Sequence, residues 1–255
     1  MALITLISDF GAKDYYVALL KAAIFKQYSE AAVVDITHDI TRHDIMEAAF
    51  YLQSTFDHFP ESTIHVVCVN SFYSPKSELI MIKYKGHYFI GPNNGLFSLV
   101  FTELSADHIW QISDNLNTQN QYEIVGAAIT IIASNRYEEL FVQPIGNFDR
   151  KISLQPVITS QQIRATIVHI DQFGNVIVNL DQRTFEQVRA NRPYAIYYKS
   201  NDPITRLSSS YSDSMIGDVC AFFNTINLLE IAINMGNAHE LLNLNKNETI
   251  QINFG

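Results

Sequence analysis

Apolar and polar positions follow two rhythms along this chain, and the change between them divides it. Over the first 150 residues, short β-rich runs alternate with helical stretches. LITLIS (3–8) reads as a strand, YYVALLKAAIFKQY (15–28) as an amphipathic helix, and AAVVDI (31–36) as a second strand. From Asp44 to Phe59 the apolar residues Ile45, Ala48, Ala49, Leu52, Phe56 and Phe59 recur at helical spacing, and Pro60 ends the helix. TIHVVCV (63–69) is apolar enough for a central strand. LIMIKYKGHYFIG (79–91) has the pattern of a hairpin turning at Lys85-Gly86, and GAAITIIAS (126–134) is a further helix or buried run. Alternating β and α signals predict an α/β domain with a mostly parallel sheet covered on both faces.

Past Leu154-Gln155-Pro156 the rhythm shortens. IRATIVHI, NVIVNL, YAIYY, DVCAFF and TIQINF alternate with turn signals such as FGN and SND, with one helical insert near 182–190. This pattern predicts a smaller C-terminal β-barrel domain. The expected division is 1–155 for the α/β domain and 156–255 for the barrel.

Composition narrows the class. Apolar residues make up 47% of the 255 positions and charged ones 17%, which is a globular balance. The net charge of −9 argues against nucleic acid or an anionic membrane as partner, because both select a cationic surface. Cys68 and Cys220 sit inside apolar runs and read as buried small side chains, not as a disulfide framework. The N-terminus reads as a first strand and not a signal peptide, and no run reaches the ~18 apolar residues of a membrane span. The expected location is cytoplasmic.

Familiar chemical motifs are missing: there is no P-loop, GxGxxG or GxSxG. The densest polar cluster is DITHDITRHDI, with His38, Asp39, His43 and Asp44. A metal reading needs ligands converging on one face. A loop in which Thr41 or Asp44 caps the next helix is the favoured reading. His65, inside a strand, reads as a core or edge histidine. Three polar islands interrupt apolar structure at strand or loop ends: SDFGAKDYY (8–16), GPNNGLFS (91–98) and DQFGNVIVN (171–179). Asp9, just after the first strand, suits either a turn or the vicinal diol of a ribose. The FGN is also a hairpin turn signal, with Gly174 or Asn175 at positive φ.

Taken together, SDFG (8–11), DITHDITRHDIMEAAFYL (35–52), FPESTIHVVCV (59–69), GPNNGLFS (91–98), IDQFGNVIVN (170–179) and NTINLLEIAINMGNA (224–238) resemble, in order and spacing, the S-adenosylmethionine (SAM) hydroxide adenosyltransferases, relatives of fluorinases and chlorinases. The resemblance implies a homotrimer with ligand sites between the N-terminal domain of one subunit and the C-terminal domain of the next. It also implies SAM as substrate or ligand, with no separate cofactor and no metal. Asp9 would hold the ribose. Asp171, Phe173 and Asn175 would surround the nucleoside and methionine, and Thr225 and Glu230 would line the ends of the ligand.

Hydrolytic members carry an aspartate after the third strand, an arginine in the following loop and a later histidine, which together polarise water. Aligned on this chain, those positions fall on Asn70, Ser77 and Asn120, all neutral. Tyr73 falls where halogenating relatives line their nucleophile pocket, but its neighbours do not reproduce their pattern. The resemblance therefore leaves three outcomes open for the site, slow hydrolysis by positioning alone, use of a pre-formed anion such as halide, or binding of a nucleoside without turnover, with a purely structural paralogue as the remaining alternative.

Overall fold

The computed structural model describes all residues except 72–77, 102–107, 113–119, 137–144, 146–147 and 200–201. Two compact units are present, Met1–Ser153 and Leu154–Gly255. The expected residues Tyr73 and Ser77 lie outside the described residues.

The first unit begins with β1 (Leu3–Ser8), α1 (Tyr16–Gln27), β2 (Ala32–Thr37), α2 (Ile45–Thr55) and β3 (Ile64–Cys68). It continues with β4 (Leu79–Tyr84), β5 (His87–Pro92), α3 (Leu96–Val100), β6 (Ile109–Gln111) and α4 (Gln121–Ala133). The strands form one sheet in the order β2-β1-β3-β5-β4-β6. Its β1–β2, β1–β3 and β3–β5 ladders are parallel. The β4–β5 and β4–β6 ladders are antiparallel. The sheet is thus mixed, where the sequence pattern predicts a mostly parallel one. The reason is local: Lys85 (φ 47°) and Gly86 (φ 80°) both take left-handed backbone, the geometry of a tight two-residue hairpin, and that hairpin reverses β4.

Side-chain alternation covers both faces. Ile4, Leu6, Ile64 and Val66 join Leu20 and Ile24 of α1 and Val125 and Ile129 of α4 in one core. Ile7, Val67 and Phe89 join Ala48 and Leu52 of α2 and Leu96 and Phe97 of α3 in the other. Period-two strands between two helical layers account for this division. Asp44 caps α2, its side chain accepting from the N–H groups of Met46 and Glu47, so the capping reading of that loop holds. His65 is fully buried, as a core histidine.

The second unit holds β7 (Val157–Ile158), β8 (Gln162–Ile170), β9 (Val176–Asp181), α5 (Gln182–Arg189), β10 (Tyr194–Tyr197), β11 (Val219–Phe223), β12 (Leu228–Ile233), α6 (Ala238–Leu241) and β13 (Thr249–Phe254). Its sheet runs β10-β13-β8-β9-β12-β11, with β7 paired to β8. All of these ladders are antiparallel. The sheet curls as a half-barrel around Ile163, Ile167, Val178, Phe185, Leu229 and Ile252. Among the described residues no ladder joins β10 to β11, so the expected barrel is seen as a curled open sheet.

Candidate functional site

In the first unit β1 has β2 on one side and β3 on the other, so the chain reverses its direction of winding between β1 and β3. Crevices outside the carboxyl ends of strands at such a switch are where open α/β sheets bind ligands. The residues that leave β1 and β3 there are Asp9 and Asn70. The loop between β2 and α2 brings a third, His43.

These three form a hydrogen-bonded knot. Asp9 Oδ2 accepts from the backbone N–H of His43 (3.0 Å) and from that of Asn70 (3.2 Å). The His43 Nδ1 lies 3.2 Å from Asn70 Oδ1 and 3.9 Å from Asp9 Oδ2. His43 (φ 65°) and Asn70 (φ 50°) both occupy left-handed backbone, which is sparsely populated for residues with a side chain. The carboxylate of Asp9 thus ties together two left-handed loop residues distant in sequence. Its side chain is 9% exposed, whereas that of His43 is 67% exposed.

The surroundings brace this knot. Ser8 Oγ lies 2.7 Å from His38 Nδ1, and His38 Nε2 is 3.1 Å from Asp35 Oδ1. Lys21 Nζ donates to Asp35 Oδ2 at 2.6 Å. The partial desolvation of Asp35 raises its pKa, but the hydrogen bond from Lys21 and the proximity of His38 outweigh that and hold its carboxyl below the usual range. Ser8, His38 and Asp35 are the residue types of a hydrolase triad. Yet Ser8 is fully buried in β1, so the chain of contacts anchors the loop and offers no accessible nucleophile. The backbone N–H of Gly11 donates to the His38 carbonyl at 2.7 Å, fixing the SDFG turn against the same loop.

Aromatic rings flank the turn. The Phe10 ring centroid lies 5.8 Å from that of Tyr16 and 6.4 Å from that of Tyr122. Burial, with the charges of Cys68, Tyr16 and Tyr15 behind it, pushes the Tyr122 hydroxyl up to about 12. Burial likewise pushes the Cys68 thiol up to about 12, with the Asp9 charge adding to the effect. Cys68 therefore stays a neutral thiol, as its apolar setting implies. Asn120 is the N-cap of α4, its side-chain oxygen accepting from the N–H of Tyr122 at 3.0 Å.

The second unit brings together most of its expected residues in another polar network. Asp171 Oδ1 accepts from the N–H groups of Phe173 (2.9 Å) and Asn175 (2.8 Å), and Oδ2 accepts from Asn175 Nδ2 (2.9 Å). Asn175 Nδ2 also donates to the Tyr211 hydroxyl at 3.3 Å. That hydroxyl donates to Glu230 Oε1 at 2.5 Å, while Asn224 Nδ2 donates to Oε2 at 3.1 Å. Burial raises the Tyr211 pKa well above the usual phenol range, followed by the Glu230 hydrogen bond and the charges of Glu230 and Asp171. Asn175 and Glu230 are buried, yet Phe173 is 76% exposed. Thr225 is exposed in the turn between β11 and β12. Gly174 has φ 81°, and a Cβ there would come within 2.0 Å of Asn237 Oδ1. The turn thus depends on glycine for both conformation and space.

Two residues of these networks escape the sequence reading. Tyr211 sits in a serine-rich stretch with no periodicity to mark it. His43 is visible only as part of a capping loop. Among the described residues no group of three His, Cys, Asp or Glu side chains is arranged to hold a metal ion.

Comparison with known proteins decides the family. Residues 4–136 match the SAM hydroxide adenosyltransferase N-terminal domain, and residues 165–251 match the C-terminal domain. The chain belongs to the SAM hydroxide adenosyltransferase family. Relatives within reach include the (R)-S-adenosyl-L-methionine hydrolase of Methanocaldococcus jannaschii, 29% identical with 98% of this chain and 95% of that protein covered. The enzyme of the same name from Thermus thermophilus is 22% identical, over 96% of this chain and 97% of that one. A fluorinase of Actinopolyspora mzabensis is 20% identical over 98% of this chain and 96% of its own length. A solved structure described as an uncharacterized conserved protein from Thermotoga maritima shares the fold at a TM-score of 0.80, with 22% identity and 98% and 99% of the two chains covered. The knot at Asp9 and the Asp171 network lie within the two matched domains of the SAM hydroxide adenosyltransferase family.

Proposed function

We propose that this protein binds SAM and releases adenosine and methionine slowly, at a site formed in a homotrimer between the N-terminal unit of one subunit and the C-terminal unit of its neighbour. Family membership supports the substrate class, since three relatives carry the name SAM hydrolase. In the reaction an oxygen nucleophile attacks C5′ of the ribose and the C5′–S bond breaks. Its electron pair goes to sulfur, so the sulfonium charge disappears as the neutral thioether leaves. Asp9 grips the ribose diol through the carboxylate oxygen that the two loop N–H groups leave over. Asp171 acts by holding Phe173 and Asn175 in place, because both of its oxygens serve its own loop. Glu230, with Tyr211 and Asn224 as donors, presents negative charge toward the ammonium of the methionine portion, and Thr225 lines the same end.

The observation that carries the slow rate is the amide at position 70. It stands beside the ribose-binding Asp9 and can orient water but cannot take its proton near neutral pH. Without the aspartate that hydrolytic members carry there, part of the roughly 10²–10⁴ in rate that acid–base assistance is worth is lost. Ser77 and Asn120 extend the same loss on the aligned positions, and Asn120 serves as a helix cap.

Overnight incubation with SAM, with and without chloride, followed by chromatography, tests the reading. Adenosine and methionine accumulate in both, far more slowly than with the M. jannaschii hydrolase run alongside. Binding with no product at all would leave a nucleoside-binding protein, and a chlorinated nucleoside would make it a halogenase.

A further inference from the structure

We infer that His43 accepts the proton of the attacking water, an inference that rests on the hydrolytic reading above. Three functional groups converge at the carboxyl ends of β1, β2 and β3, and their chemistry separates them. The Asn70 amide has no basic atom. Asp9 is 9% exposed, and its Oδ2 is committed to two backbone N–H groups. The imidazole of His43 is 67% exposed, so it alone among the three offers solvent a ring nitrogen that can accept a proton.

The geometry also selects the nitrogen. Asn70 Oδ1, 3.2 Å from His43 Nδ1, only accepts, so Nδ1 carries hydrogen and donates to it. Nε2 is then left with its lone pair free. The Asp9 carboxylate lies 3.9 Å from Nδ1, on the side of the ring away from Nε2. Asn70 thus orients the ring and Asp9 stands beside it, the arrangement of an oriented general base. His43 and Asn70, the pair in contact, are both held by one carboxylate, whose Oδ2 accepts from the backbone N–H of each.

The step balances. The water oxygen forms its bond to C5′ as the C5′–S pair passes to sulfur, and the water proton passes to His43 Nε2. One positive charge leaves the sulfonium and one appears on the imidazolium, with adenosine and methionine as products.

The test uses the full chain and two variants. His43→Asn keeps a residue type that tolerates positive φ, and His43→Gly opens a space for free imidazole. Adenosine release, SAM affinity by calorimetry and thermal unfolding are measured on each. The inference predicts that both variants remain folded and bind SAM as the wild type does, while turnover falls by about 10²-fold or more. Added imidazole restores turnover in His43→Gly but not in His43→Asn. Wild-type turnover in His43→Asn, or no rescue in a folded, SAM-binding His43→Gly, would overturn it. So would a wild type that binds SAM without turnover. A wild type that binds neither SAM nor adenosine would remove the functional reading itself, a result distinct from the others.

Discussion

Acidification is expected to weaken the first unit through one buried ring, that of His65. Its Nδ1 lies 2.7 Å from Thr5 Oγ1 and its Nε2 lies 3.1 Å from His87 Nδ1. The ring stacks on Phe89 with centroids 4.9 Å apart, and the rings of Phe56 and Phe59 meet it edge-on. Burial in this aromatic setting, with the His87 charge adding to it, pulls the His65 pKa down to about 3. The ordinary value of 6.5 holds in the unfolded chain. Between those values the unfolded chain binds the proton and the folded one does not, so stability is complete above pH 6.5 and falls as pH drops toward 3. At about 1.4 kcal/mol per pH unit, the loss reaches roughly 2 kcal/mol by pH 5 and about 5 kcal/mol across the window. His87 is also held below its ordinary value, chiefly by burial, and contributes in the same direction.

The assay is built into the chain. Trp110, the single tryptophan, lies on β6 of the first unit's sheet, so its fluorescence follows that unit's unfolding. Urea titrations from pH 7 to pH 5 on the wild type and on His65→Gln are then compared. The variant loses about 1–2 kcal/mol at pH 7 through imperfect hydrogen bonds, but the gap between the two proteins closes by about 2 kcal/mol at pH 5. A constant gap across that range would refute the assignment of the acid sensitivity to His65.

Three further outcomes follow from the same contacts. Gly174→Ala places a methyl against Asn237, the N-cap of α6, and forces alanine to φ 81°; a loss of 2 kcal/mol or more in the second unit is expected, roughly, by chemical denaturation followed by circular dichroism. Tyr211→Phe removes the 2.5 Å donor to buried Glu230 and is expected to cost about 1–3 kcal/mol of stability and to weaken SAM binding in calorimetry. Asn70→Asp, combined with Ser77→Arg and Asn120→His, restores ionisable groups at the three aligned positions, and faster adenosine release by chromatography is expected.

The hairpin at Lys85-Gly86 was legible because alternation is a local signal, while the run at 126–134, open between helix and buried run, proves to be the latter part of α4, which begins five residues earlier at Gln121. The hairpin itself carried the information that the sheet is mixed, since two strands joined by two residues must run antiparallel. Strand β6, three residues long, leaves no periodic trace. Whether a curled antiparallel sheet closes depends on contacts between its edge strands, which no alternation pattern encodes. At the site, Asp9 stood out by following the first strand. Its bonds to His43 and Asn70 span 34 and 61 positions, and separations of that size are set by sheet order alone. Hence His43 was readable as the neighbour of a capping Asp44 but not as the partner of Asn70.

Calorimetric titration of SAM into the intact protein tests the central claim most directly, because one trace records both binding and turnover. The account predicts a saturable binding heat followed by a small, sustained heat of slow hydrolysis. No binding heat with SAM, and none with adenosine, would contradict it.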